Sequence, residues 1–195
     1  SSSSSPASIS TQEEYPITSL FIYPVKSLKG IEVSKWPVDQ RGFLHDRRWL
    51  IVRAEDKQFI TQRQMPSLAL LETSVTLDGH LTISATKDNK KRSFSIQSLC
   101  YKQTREQVLA TKLPIYQVAI FDASFNALDC GDAAAEFLSE IIGKNVRLVE
   151  TLPTDDGEGK NAQQLHTRTA APRYTIPLLK KRPELGKVCS LDISF

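Results

Sequence analysis

The side chains best suited to bind an anion follow a short run of strand-forming residues near the start of the chain. Lys26 and Lys29 carry ammonium groups and Ser27 carries a hydroxyl, so all three donate hydrogen bonds. Pro24 lacks a backbone donor and Gly30 permits a sharp turn, so the strand should end here. Donors grouped at the mouth of a strand could hold a phosphate-bearing ligand. Lysines at strand ends are also typical of a solvated surface, and the local pattern leaves that alternative open.

Two arginines precede a second predicted strand. Arg47 and Arg48 stand directly before the apolar run at 49–52, which is typical of a strand buried on both faces. Successive side chains of a strand point to opposite faces, so at most one arginine can share a face with Lys26. The carboxylate of Asp46 could pair with either of them.

A third arginine belongs to a polar cluster. Arg63 lies within the sequence TQRQ at 61–64, shortly before Pro66. Such a cluster could line the rim of a pocket. It is equally typical of an exposed loop, and the sequence leaves both interpretations open.

The three cysteines do not form a recognisable site. Cys100, Cys130 and Cys189 are far apart and lack C-x-x-C spacing, so we predict neither a disulfide framework nor a metal site. Cys130 precedes a predicted helix, whose N-terminus favours a thiolate. Asp129 and Asp132 flank it and oppose that anion, which favours a structural cysteine.

Composition restricts the class of protein. The chain has 195 residues, of which 40% are hydrophobic and 24% charged, as expected for about one globular domain. The net charge of +3 is too small to indicate a nucleic acid partner. No apolar run approaches the ~20 residues that a membrane helix needs. We therefore expect no membrane span in this chain. The separated cysteines make a reducing, intracellular compartment the default expectation.

The predicted elements are mostly short strands. An Asp-Gly turn at 78–79 separates two β-rich runs and indicates a hairpin, whereas the charged stretch 87–92 reads as a loop. A further strand is predicted over 31–38. The stripe at 134–142 predicts one amphipathic helix, with Asp129 or Asp132 as its cap and Gly143 at its end.

These elements predict a mainly β (α+β) fold, namely a small β-barrel of short, mostly antiparallel strands with one amphipathic helix. Residues 1–14 read as a disordered leader and residues 15–150 as the barrel domain. Residues 151–195 read as a poorly ordered, divergent or truncated remnant.

Several motifs in this order resemble the N-terminal β-barrel domain of MOSC proteins. They are Tyr23-Pro24-Val25-Lys26-Ser27 with Lys29-Gly30, then Gly42, Asp46-Arg47-x-Trp49, Thr61-x-Arg63-Gln64-x-Pro66 and Asp129-Cys130-Gly131-Asp132. The family includes the amidoxime-reducing components and the C-terminal region of molybdenum cofactor sulfurase. The resemblance covers residues 17 to about 150.

The resemblance implies a pocket for the molybdenum cofactor (molybdopterin) between this barrel and a following MOSC domain. Lys26, Ser27 and Arg47 match the positions that hold the pterin and its phosphate, and we add Arg63 as a fourth cofactor-binding candidate. The family's reductases act on N-hydroxylated substrates with electrons from a heme or flavin protein. The resemblance of this chain to the family implies a mitochondrial or cytoplasmic location for the protein.

The family's MOSC domain supplies a cysteine thiolate to molybdenum, and Cys189 lacks the family's surrounding pattern. We therefore expect an incomplete chain that is inactive alone. One alternative is a molybdenum cofactor sulfurase, in which a pyridoxal phosphate domain would precede the barrel. Another is a noncatalytic barrel that binds a partner or carries cofactor.

Overall fold

The computed structural model describes residues 17–39, 41–120, 123–153 and 189–190. Within these ranges short strands form four small antiparallel sheets arranged as a half-barrel, which confirms the predicted mainly β fold. The strands are β1 Leu20–Ile22, β2 Ile31–Val33, β3 Pro37–Asp39, β4 Gly42–Phe43, β5 Trp49–Arg53, β6 Glu72–Val75, β7 His80–Lys87, β8 Lys90–Gln97, β9 Ile115–Ile120, β10 Ala123–Asp129, β11 Val146–Thr151 and β12 Cys189–Ser190. The helices are α1 Arg105–Ala110, α2 Asp132–Ile142 and the 3-10 helix Pro66–Leu70.

The largest of these sheets has the order β5-β11-β10-β9 and contains the strand that follows the arginines. The first four residues of β5, Trp49 to Val52, are buried, as the uninterrupted apolar run predicts. Trp49 and Ile51 pack into the main core with Leu148, whereas Leu50 and Val52 pack into a second cluster on the other face. Burial on both faces determines the position of β5. The end of the preceding loop, which leads into β5, is positioned with it.

A second sheet, β6-β7-β8, contains the predicted hairpin at Asp78–Gly79. The predicted loop over 87–92 is wrong, because β7 extends to Lys87 and β8 begins at Lys90. Only Asp88 and Asn89 form the turn, and both have positive φ angles. Asp and Asn tolerate this conformation in two-residue hairpins, and the charged side chains beside them stay solvated on the strands.

The predicted single strand over 31–38 is also wrong. It divides into β2, which pairs with β1, and β3, which pairs with β4 and β12. Trp36 lies at the division, and its indole Nε1 donates to the Leu44 carbonyl at 2.7 Å. This bond turns the chain from one sheet to the next.

The helix α2 confirms the predicted amphipathic helix, and Gly143 ends it in the left-handed conformation with a φ of 75°. Its predicted aspartate cap is wrong, because Gly131 occupies the N-cap and no side chain caps the helix. Helix α1 was not predicted. Thr104 begins α1 in a capping box with Gln107, a signal visible in the sequence.

No helix in the described ranges is long and apolar enough to cross a membrane. The predicted leader at 1–14 lies outside the described residues, as does most of the segment 151–195.

Candidate functional site

Backbone pairing at Trp49 brings the end of β1 beside the loop that carries the arginines. Val25 and Trp49 form a parallel bridge. The Lys26 amide donates to the Trp49 carbonyl at 2.9 Å, and the Trp49 amide donates to the Pro24 carbonyl at 3.1 Å. Lys26 and Arg47 are 21 positions apart in the sequence, yet they begin from backbone segments that are hydrogen-bonded to each other.

The Lys26 ammonium is buried beside an aromatic ring. Lys26 is 8% exposed, and its Nζ lies 5.2 Å from the centroid of the Phe59 ring. Burial, and secondly the positive charge of Arg47, lower the pKa of Lys26 from 10.5 to about 8. In the described part of the chain no carboxylate pairs with this ammonium. The Lys26 ammonium therefore experiences the positive charge of Arg47, and no carboxylate among the described residues offsets it.

Arg47 is held from two sides. One guanidinium nitrogen, Nη1, donates to Asp46 Oδ2, and the guanidinium carbon lies 5.4 Å from the centroid of the Tyr23 ring. Asp46 Oδ1 also accepts from the Tyr23 amide at 2.7 Å. Arg47 has a φ of 49°, in the left-handed region that costs a non-glycine residue free energy. Such strain persists where surrounding bonds determine the backbone.

Ser27 lies in the turn after Lys26 and is also in the left-handed region, with a φ of 69°. Its side chain is half-buried, and within the described ranges its hydroxyl has no protein partner. This hydroxyl remains available to a ligand next to Lys26.

The other two basic candidates are placed differently. Lys29 is a surface residue whose ammonium pairs with Glu72 at 3.1 Å, so it is not part of the cation pair. Arg63 is exposed on the turn after Phe59. No hydrogen bond or ion pair connects Arg63 to Lys26, Ser27 or Arg47 in the part of the chain described. The structure therefore brings Lys26, Ser27 and Arg47 into neighbouring turns, and within the described ranges it shows no bond from Arg63 to any of them.

His45 lies in the loop before β5 and is buried, a role that was not predicted from the sequence. It is 2% exposed, and its Nε2 donates to the Leu77 carbonyl at 3.1 Å. Its ring lies edge-on to Tyr101 with centroids 4.8 Å apart. Burial lowers the pKa of His45, so the ring is neutral near pH 7. Gly79 allows this packing, because a Cβ there would lie 3.3 Å from the imidazole.

Arg48 pairs with a different partner from Arg47. Its Nε donates to Glu150 Oε1 at 2.8 Å, and Glu150 is fully buried. The Ser98 hydroxyl donates to Oε1 and the Leu99 amide to Oε2 at 2.8 Å. These donors come from the residue before β5 and from the two residues that follow β8, so Glu150 joins β11 to both segments. These residues form a structural cluster.

The motif at 129–132 is also structural. Asp129 accepts from the Gly131 amide at 2.8 Å and from Arg147 Nε at 2.5 Å, and Arg147 also pairs with Asp132 at 2.9 Å. Cys130 is buried, and burial followed by Glu150 raises the pKa of its thiol well above 9. These contacts favour the inert cysteine predicted from the flanking aspartates.

The fold and the candidate site define a class of protein. The sequence profile of the MOSC N-terminal beta barrel domain matches residues 15–145, about two thirds of the chain. The chain therefore belongs to the MOSC family and carries this N-terminal barrel domain.

Two curated relatives agree with this assignment. The chain is 30% identical to human mitochondrial amidoxime-reducing component 1 over 185 residues, which cover 90% of this chain and 46% of that protein. It is 27% identical to bovine molybdenum cofactor sulfurase over 162 residues, which cover 83% of this chain and 17% of the sulfurase. A solution structure from Bordetella bronchiseptica is similar at a TM-score of 0.42 and 17% identity, over 64% of this chain and 88% of that chain. The chain spans less than half the length of the two curated relatives named here.

Proposed function

We propose that this barrel binds the phosphate end of the molybdenum cofactor in a MOSC-type oxidoreductase. Lys26, Ser27 and Arg47 are the proposed binding residues, and Arg63 is a candidate for an outer contact. The names of the relatives, a molybdenum cofactor sulfurase and an amidoxime-reducing component, support this class of ligand.

One observation carries the proposal: the buried Lys26 ammonium is subject to the positive charge of Arg47 and has no carboxylate partner among the residues that the structure describes. Burial of an uncompensated charge is unfavourable, and a second positive charge nearby adds to that cost. A phosphate placed between Lys26 and Arg47 would offset both contributions, because it accepts charge-assisted hydrogen bonds from each. The available Ser27 hydroxyl would supply a further donor. The uncompensated positive charge of Lys26 would lower the stability of the free protein, and binding of the anion would restore it.

The described residues fit the phosphate but not the metal. Among them there is no cluster of three or more His, Cys, Asp or Glu side chains that could hold a metal ion. Burial raises the pKa of Cys100 to about 12 and that of Cys130 well above 9, so neither thiol favours the anionic form that a metal ligand needs. When bound, the cofactor would supply two-electron redox chemistry. The described residues would bind and orient it.

By the same proposal, the complete protein would reduce N-hydroxylated substrates and receive electrons from a heme or flavin protein. The name of the human relative supports the reductase. The sulfurase alternative is supported by the bovine relative, of which the match covers 17%. A noncatalytic carrier would bind cofactor without either activity.

The test is cofactor retention after purification from a host that makes the molybdenum cofactor. Molybdenum would be measured by mass spectrometry and pterin by fluorescence after oxidation, for wild type, Lys26→Ala, Arg47→Ala and the double variant. Lys35→Ala is the matched control, because Lys35 is an exposed lysine on the segment between β2 and β3. We expect the double variant to lose pterin and the control to keep it. Retention of pterin by the double variant would refute the site.

A further inference from the structure

We propose that Tyr23 is the positioning residue of this anion site and that its ring holds the Arg47 guanidinium toward the ligand of Lys26. The inference rests on the proposed phosphate site and adds a residue that contacts Arg47 rather than the phosphate. Three observations support it: the position of the ring against Gly30, the position of Arg47 on the ring, and the backbone bonds between the two segments.

Gly30 allows the Tyr23 ring to lie against the backbone. A Cβ built at Gly30 would lie 2.6 Å from Tyr23 Cε1 and 2.8 Å from Cζ, which is closer than van der Waals contact permits. Any other residue at this position would therefore displace the ring. The motif residue Gly30, seven positions after Tyr23, thus has a packing role in addition to its conformational freedom.

The Arg47 guanidinium lies over the Tyr23 ring, with its central carbon 5.4 Å from the centroid. This distance is within the range of a cation–π interaction. Asp46 binds one edge of the same guanidinium through Nη1. The ring and the carboxylate therefore restrict the guanidinium from two directions, and its other N–H groups have no hydrogen-bond acceptor among the described residues.

The backbone fixes the relative position of Tyr23 and Arg47. The Arg47 amide donates to the Tyr23 carbonyl at 2.7 Å, and the Tyr23 amide donates to Asp46 at 2.7 Å. The two residues cannot separate without breaking these bonds. Because the backbones are fixed, removal of the ring should change the position of the guanidinium more than that of the chain. The ring is 36% exposed, so its loss removes little core packing.

A double-mutant cycle with inorganic pyrophosphate tests the proposal. Affinity would be measured by titration calorimetry at low ionic strength for wild type, Tyr23→Leu, Arg47→Ala and the double variant. We expect Tyr23→Leu to weaken binding about two- to fivefold, the range of an exposed cation–π interaction. The same change should have little effect when Arg47 is already alanine. A Tyr23 effect that is equal in both backgrounds would overturn the proposal.

Two further variants separate positioning from general destabilisation. Tyr23→Phe keeps the ring and should bind as wild type does, whereas equal weakening by phenylalanine and leucine would contradict a role for the ring face. Gly30→Ala should weaken binding in wild type and have little effect in the Tyr23→Leu background, where no ring remains to displace. Equal effects of Gly30→Ala in both backgrounds would contradict this account.

A measurement without ligand distinguishes this inference from the proposed function. The ring current of Tyr23 should shift the Arg47 Nε–H proton resonance, and that shift should persist in Tyr23→Phe and disappear in Tyr23→Leu. If wild type and Lys26→Ala bind pyrophosphate equally, the proposed site fails. If instead the Arg47 resonance is the same in wild type and Tyr23→Leu, the positioning role fails, whatever the affinity of the site.

Discussion

Replacement of Lys26 by methionine should stabilise the fold near neutral pH while it weakens the proposed site. Methionine keeps an unbranched side chain of similar length but removes the buried charge. The fall in the pKa of Lys26 from 10.5 to about 8 corresponds to an unfavourable contribution of roughly 3 kcal/mol to folding. We treat this as an upper limit, since the contact with Phe59 and the remaining solvent both reduce the cost.

The effect of pH has a definite sign. The pKa of Lys26 is lower in the folded protein, so the unfolded chain holds this proton more tightly between about pH 8 and 10.5. The cost is therefore fully present below pH 8 and disappears as pH rises to 10.5. Wild type should gain stability relative to Lys26→Met across this window. We expect the variant to be more stable by about 1–3 kcal/mol at pH 7 and nearly equal at pH 10.5.

Urea unfolding followed by tryptophan fluorescence would measure this difference, because Trp49 is fully buried. Lys35→Met is the control, and it should show no such pH dependence because Lys35 is exposed. Lower stability of Lys26→Met at pH 7, or a difference that does not change with pH, would refute the reasoning.

Three further outcomes follow from the contacts. Glu150→Leu should lower the free energy of unfolding by about 3–5 kcal/mol, because it leaves the mostly buried Arg48 guanidinium without its counter-charge. Urea unfolding would measure this change, and a loss below about 1 kcal/mol would contradict the role of the pair. Cys100 and Cys130 should resist alkylation at pH 8 in the folded protein and react after unfolding, as mass spectrometry of the labelled peptides can determine. Inorganic phosphate should raise the melting temperature of wild type more than that of Lys26→Met, and equal increases would argue against binding at Lys26.

Local sequence patterns predicted the elements that depend on local chemistry. The apolar run of β5, the stripe of α2 and the Asp-Gly turn each impose their own conformation, and each is present. The loop predicted over 87–92 was wrong because a run of charged residues indicates solvent exposure and not the absence of a strand. The two residues Asp88 and Asn89 suffice to connect β7 to β8. The capping box at Thr104 and Gln107 would have identified α1.

The candidate site depended on pairing that no local pattern encodes. The pairing of Val25 with Trp49 places the backbone segments of Lys26 and Arg47 side by side, and Val25 and Trp49 are buried in the same core. The contacts of Phe59 with Lys26 and of Tyr23 with Arg47 also required the tertiary structure. The signal available in the sequence was the resemblance of the motifs, which indicated the residues but not their mutual geometry.

The structure of the cofactor-loaded protein tests the central claim most directly. We predict that oxygens of the cofactor's phosphate group accept hydrogen bonds, at about 2.7–3.0 Å, from both Lys26 Nζ and the Arg47 guanidinium. A phosphate bound elsewhere, with Lys26 still against Phe59 and Arg47 still against Tyr23 and neither in contact with the ligand, would contradict it.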